Sequence, residues 1–315
     1  MKIKRIFRLI ALLVLVALAG WYARHHVDDL ARLRNFRWSY FAPLVAVHLA
    51  ALGFNGWMNR LLLARLGVPL TFTQWYGLAA VNAVANYLPL PQGGAVARGA
   101  ILKRLHGLGY RRYAATVLFG YVMSLVLVGA AGLVALAYLR FHGVHSSWLM
   151  WGIFGALTLL CVLLAPGAAR LLPGQRLAQL SEGYRLLGTP GIIARLVAAR
   201  VALMAVNATG IWLAYRSIGR STGWVSSLVV ALSAMASGVV NVTPGNTGAA
   251  EAAAWGAAQG IGQDRVATLN AALIYRLSAA AVIFVVGPLA TYVLTRRSAA
   301  LKGAAPELAP ETPLA

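Results

Sequence analysis

Glu251 closes the stretch Thr243-Pro-Gly-Asn-Thr-Gly-Ala-Ala-Glu251, and of the seven acidic residues it is the one that falls inside a long apolar segment. Asp28, Asp29, Glu182, Asp264, Glu307 and Glu311 read as loop or tail residues. An ionisable group at membrane depth costs about 2.5–3.5 kcal/mol on insertion scales, and such groups face a pathway, a partner or a binding site. Arg276, inside a later apolar segment, needs a counter-charge by the same reasoning, and Glu251 is its expected partner. Gly245 and Gly248 loosen the chain before Glu251, and Asn246 and Thr247 are expected to cap a short helix starting near Ala249. The N-terminus of a helix at that depth offers unsatisfied N–H groups and partial positive charge, suited to a phosphate or a carboxylate. A purely structural role for Glu251, complementing the helix dipole, uses the same residues.

A second stretch of this kind lies earlier, at Pro89-Leu-Pro-Gln-Gly-Gly94, after Asn86 and before a helix expected near Ala95. Its polar and flexible residues, Asn86, Gln92, Gly93 and Gly94, are candidate headgroup contacts together with Arg98. One constant offset carries Pro91 onto Pro244, Ala97 onto Ala250, Gly107 onto Gly260, Gly109 onto Gly262 and Arg98 onto Glu251. An acid and a base at equivalent positions either pair across a pseudo-twofold axis or bind opposite charges of a zwitterionic headgroup. Alternatively, Arg98 sits at the interface with Lys103 and Arg104, against lipid phosphates. His48, Asn55 and Asn59 share one helical face. With Asn82, Asn86, Asn207, Asn241 and Asn270 they line a polar route or simply bond neighbouring helices.

The elements that position these residues follow from composition. A 315-residue chain that is 60% hydrophobic and 11% charged, with a formal charge of +21, is a multi-pass membrane protein. Its basic residues punctuate apolar runs of about 20 residues instead of clustering on a solvated domain, which excludes a nucleic-acid binder. Spans are expected near residues 6–23, 39–59, 113–139, 147–166, 192–215 and 266–294. The first has the look of a signal peptide and is read as an uncleaved helix. The apolar segments at 75–88 and 224–242 each stop at a Pro-Gly stretch and resume briefly, as a re-entrant hairpin would.

The expected fold is therefore an all-α polytopic membrane helix bundle with two opposed re-entrant helical hairpins in an inverted repeat. Residues 1–298 form one transmembrane domain, with repeat units at about 39–140 and 192–294 linked by the span at 147–166; residues 299–315 form a disordered cytoplasmic tail. With hairpins that do not cross, most Lys and Arg residues fall on the side that holds both termini, which makes that side cytoplasmic. Residues 24–38 become a basic amphipathic segment on the opposite side.

The chain holds no GxSxG, Walker A or GxGxxG motif and no Asp-rich metal motif. Cys161 stands alone, and the six His residues have no metal-ligand spacing, so neither a metal nor another cofactor is expected. A non-catalytic role follows as the first expectation.

Pro244 to Glu251, followed by Gly260-Ile-Gly262 and Tyr275-Arg276-Leu277, resembles the PGGxGxxE and downstream Arg pattern of the lysylphosphatidylglycerol synthase membrane-domain family, often called flippase-like. Asn86-Tyr-Leu-Pro-Leu-Pro-Gln-Gly-Gly-Ala-Val-Ala-Arg98, with Gly107 and Gly109 after it, resembles that family's upstream motif. Ala95 stands where the upstream motif commonly has an acid, and Gly120-Tyr121 and Ser124 stand where a Glu-Arg/Asp pattern follows it. The resemblance implies translocation of a phospholipid or other lipid-linked substrate, with an anionic or zwitterionic headgroup, across a bacterial cytoplasmic membrane. A cell-envelope biosynthetic partner belongs to the scaffold alternative. The alternatives are a membrane-embedded transferase using a lipid-linked donor, with Glu251 as general base, and a scaffold for a cell-envelope synthase.

Overall fold

The computed structural model describes residues 36–87, 92–170, 189–240 and 244–303, the last residues of three of these stretches (160–170, 239–240 and 297–303) and Pro244 as backbone alone. The expected span at 6–23, nearly all of the amphipathic segment at 24–38, and residues 304–315 lie outside the described residues. Those described form helices joined by short turns, with no strand among them. In chain order they are α1 Phe41–Arg65, α2 Phe72–Ala85, α3 Gly93–His106, α4 Tyr110–Phe141, α5 Trp148–Arg170, α6 Pro190–Ser217, α7 Trp224–Val240, α8 Ala249–Gly260 and α9 Arg265–Gly303. A 3-10 turn at Trp38–Tyr40 leads into α1, and another at Pro244–Asn246 precedes α8.

Length sorts these helices. Four stretches, Trp38–Arg65, Tyr110–Phe141, Pro190–Ser217 and Arg265–Arg296, are long and apolar enough to cross a membrane. At 14 residues, α2 and α3 each reach about 21 Å, short of the roughly 30 Å hydrocarbon core, and α8 with 12 residues is shorter still. Outward-facing Val134, Leu277, Val285 and Leu289 are all more than 60% exposed, as expected of side chains whose solvent is lipid.

Local signals set the boundaries. Thr71 opens α2 with a capping box, its own N–H donating to Gln74 Oε1 at 3.0 Å. Asp264 Oδ1 accepts from the N–H groups of Val266 and Ala267 at the start of α9. Thr189 and Pro190 start α6 two residues before the expected span at 192, and α9 runs to Gly303, into the segment expected as tail.

In the packing, α1 lies against α2, α6 and α9; α7 against α4, α6 and α8; α2 against α3 and α9; and α8 against α9. The main core joins Leu44 of α1, Leu136 of α4, Phe154 of α5, Ile211 of α6, Leu232 of α7, Ala254 of α8 and Ala271 of α9. A second cluster brings the α1–α2 turn (Val68, Leu70) to the α3–α4 turn (Leu108), with Leu78, Leu102 and Leu294. The α6–α7 and α8–α9 turns also meet, through Thr222 Oγ1 and Gln263 Oε1 at 3.3 Å and Arg220 and Asp264 at 3.6 Å. Ser147, in the α4–α5 turn, donates its N–H to Gly260 O at the end of α8, at 2.7 Å.

Candidate functional site

Both Pro-Gly breaks force the backbone into a left-handed conformation. Gln92 has φ 54° and Asn246 φ 58°, and these are the non-glycine residues with positive φ among those described. Such a conformation is unfavourable by roughly 1–2 kcal/mol for a residue with a Cβ, and strain of this kind collects at binding and switch sites. Gly245, at φ 61°, packs close to the Tyr87 ring, where an added Cβ would lie 2.9 Å from ring carbon. Its N–H donates to Asn86 O at 2.7 Å. Asn86 also accepts, through Oδ1, the N–H of Gly94 at 2.9 Å. The two breaks, far apart in sequence, are thus joined through one asparagine.

Glu251 is the third residue of α8. Its Oε2 accepts the Gly248 N–H at 2.8 Å, satisfying an orphan donor at the helix start, and its Oε1 lies 2.6 Å from Arg276 Nε. The side chains are 10% and 19% exposed, respectively. Arg276 reaches in from α9, and its Nη2 donates to Asn246 O at 3.0 Å. Asn246 Nδ2 in turn donates to Ser237 Oγ of α7 at 2.8 Å. One guanidinium therefore ties α9 to α8 and to the break that precedes it. The ion pair and its neighbours wall a cavity of about 250 Å³ that also meets Tyr87, Asn207, Met235 and Tyr275. Two polar atoms at this site, Arg276 Nη1 and Asn246 Oδ1, are buried without a hydrogen-bond partner. A buried donor or acceptor left unpaired costs about 1–3 kcal/mol, and these two atoms carry that cost within a few residues of the ion pair.

The expected pairing of Glu251 with Arg276 is formed, whereas Arg98 does not reach Glu251. Arg98 Nε donates instead to the Tyr113 hydroxyl at 2.6 Å. Positions that match under a constant sequence offset are not thereby neighbours in space. The capping expectation also needs correction: the N-cap position of α8 belongs to Gly248, with Asn246 and Thr247 in the turn before it. Gln92, Gly93 and Gly94 do form the start of α3; both glycines are buried, and Gln92 Oε1 accepts from the Tyr121 hydroxyl. Of the polar-route residues, His48 is buried and bonded to Ser278 at 2.9 Å, and Asn207 accepts from the Tyr275 hydroxyl. Asn55, Asn59, Asn82 and Asn207 line a second cavity, while Asn241 lies outside the described residues.

Arg200, which falls within the expected span at 192–215, lies well inside α6. Its Nη2 donates to Ser124, and it lines the second cavity with Arg98. The signal was local: Thr189-Pro190 is a helix-start pair, and ten residues of helix carry Arg200 about 15 Å inward.

Long apolar helices around a buried ion pair and two broken helices define a multi-pass helical membrane protein. The chain belongs to the lysylphosphatidylglycerol synthase TM region family, whose model matches residues 5–287. Comparison with curated proteins gives no match.

Proposed function

We propose that this protein moves a phospholipid or other lipid-linked molecule between the leaflets of the cytoplasmic membrane, with the headgroup entering the Glu251–Arg276 cavity. The observation that carries this reading is the ion pair itself. It stands in a cavity between helices with an unpaired donor, Arg276 Nη1, and an unpaired acceptor, Asn246 Oδ1. A zwitterionic or anionic headgroup supplies the complementary groups, and its cationic part, where it has one, meets Glu251. The family name points to a phospholipid as the substrate class.

Two re-entrant hairpins, α2–α3 and α7–α8, in an inverted repeat provide the path. In support, the turns at the base of α2–α3 share one core cluster, and those at the base of α7–α8 share hydrogen-bonding and charged contacts. The Ser147–Gly260 hydrogen bond ties the far end of the long helix α4 to the base of the second hairpin, opposite the base of the first. The contacts also exchange as an internal twofold requires: α1 with α2 matches α6 with α7, and α2 with α9 matches α7 with α4. The hydrogen bond from Gly245 N–H to Asn86 O, which joins the two Pro-Gly breaks, supports this reading, since broken helices that meet near the midplane are the usual place for a transporter site.

The test is the lipid retained through purification, identified by mass spectrometry. Wild-type protein should retain one lipid class above the background composition, and Glu251→Gln should lose it. Equal retention by both proteins would remove Glu251 from the site.

A further inference from the structure

The second cavity, about 320 Å³ and lined from α1, α2, α3, α4, α6 and α7, is charged differently from the first. Arg98 and Arg200 both line it. Arg200 donates to the Ser124 hydroxyl, and its Nε is buried with no hydrogen-bond partner. Arg98 donates to the Tyr113 hydroxyl, with its guanidinium carbon 5.4 Å from the centre of that ring. Both partners are neutral. The two carboxylates among the described residues are engaged elsewhere, Glu251 with Arg276 and Asp264 with Arg220. A guanidinium removed from water without a counter-charge costs several kcal/mol, a cost that falls on Arg200 with its buried Nε, and the half-buried Arg98 in the same cavity adds mutual repulsion. A bound anion removes both costs. The planar fork of an arginine matches the paired oxygens of a phosphate, and the free Arg200 Nε leaves a donor for it.

We infer that the Arg98–Arg200 cavity is a binding site for a phosphate oxyanion, separate from the Glu251–Arg276 site. Asn207 and Met235 line both cavities, with Asn207 Nδ2 and Met235 Sδ 3.6 Å apart, so the two chambers share a wall. A phosphate held by the arginines has the ion pair next door. The assignment of that phosphate to a lipid headgroup rests on the translocation reading; the oxyanion site itself does not.

The experiment is thermal unfolding of the purified full chain in an uncharged detergent, followed by tryptophan fluorescence. Three probes are titrated: dihexanoyl phosphatidylglycerol, inorganic phosphate and uncharged dihexanoylglycerol. A ligand of the folded state raises Tm with concentration. The phosphatidylglycerol should raise Tm and the uncharged lipid should not. Arg200→Gln and Arg98→Gln should each weaken the apparent affinity about tenfold or more, the loss expected for a charge-assisted hydrogen bond. Arg216→Gln, which removes the same charge from a side chain stacked on Trp212 outside the cavity, should keep the shift. A shift of equal size with inorganic phosphate supports the site and assigns it to free phosphate. No shift with either anion overturns the inference, as does an unchanged shift in Arg98→Gln, whose half-buried side chain makes it the variant to rely on if Arg200→Gln does not fold. Transport is not read here, so protein that binds phosphate but moves no lipid would refute translocation and leave the site standing.

Discussion

Glu251→Gln keeps a side-chain oxygen for the Gly248 N–H but removes the charge that lies 2.6 Å from Arg276 Nε. Arg276 already has one terminal nitrogen without a partner, so the guanidinium is left with the Asn246 carbonyl alone among the described residues. Taking one member from a buried ion pair costs about 3–5 kcal/mol. Exposures of 10% and 19% place this pair toward the lower end, and about 3 kcal/mol is expected for Glu251→Gln. Arg276→Met should cost a similar amount, because it leaves a carboxylate without its counter-charge. The double variant removes both charges, so its cost should be nearer 3 than 6 kcal/mol, a coupling of about 2–3 kcal/mol. Unfolding of the purified proteins by SDS in mixed micelles, read by fluorescence from the nine tryptophans, measures all four corners of the cycle. Additivity within about 0.5 kcal/mol would refute the pairing as an energetic unit.

The close approach of α3 to α2 sets a contrast between two glycines. An added Cβ at Gly94 would lie 2.3 Å from Asn82 O and 2.5 Å from Asn86 Oδ1, whereas Gly109 has open space. Gly94→Ala should therefore lower the SDS midpoint strongly, by about 1–3 kcal/mol or more, and Gly109→Ala should leave it near the wild-type value. For topology, single cysteines in a Cys161→Ser background are labelled from each side of sealed vesicles. Pro69→Cys and Gly109→Cys should react from one side, and Ser221→Cys and Arg265→Cys from the other; opposite-side labelling within either pair would eliminate that hairpin as re-entrant.

Much of the fold was legible because lipid imposes a length. Apolar runs long enough to cross it stand out, and Pro244 and Gly245 had to interrupt any helix they entered. The Glu251–Arg276 pair was legible for a related reason: two ionisable residues in apolar segments have few ways to be tolerated except together. Contacts made across the bundle carry no such local signal. Nothing near Asn86 announces that its carbonyl receives the Gly245 N–H, or that Arg98 meets Tyr113 and not Glu251. The helix-start pair Thr189-Pro190 carries Arg200 well inside α6, but nothing near it in sequence announces Ser124 as its partner.

Lipid movement in vesicles reconstituted with the purified protein tests the central claim most directly. Phosphatidylglycerol carrying a fluorescent acyl chain is distributed over both leaflets, and dithionite destroys the fluorescence it can reach from outside. Wild-type protein should expose the inner-leaflet pool to dithionite, and Glu251→Gln, with its expression and fold intact, should leave that pool as protected as in protein-free vesicles. Protection unchanged by wild-type protein, or equal exposure by Glu251→Gln, would contradict the account.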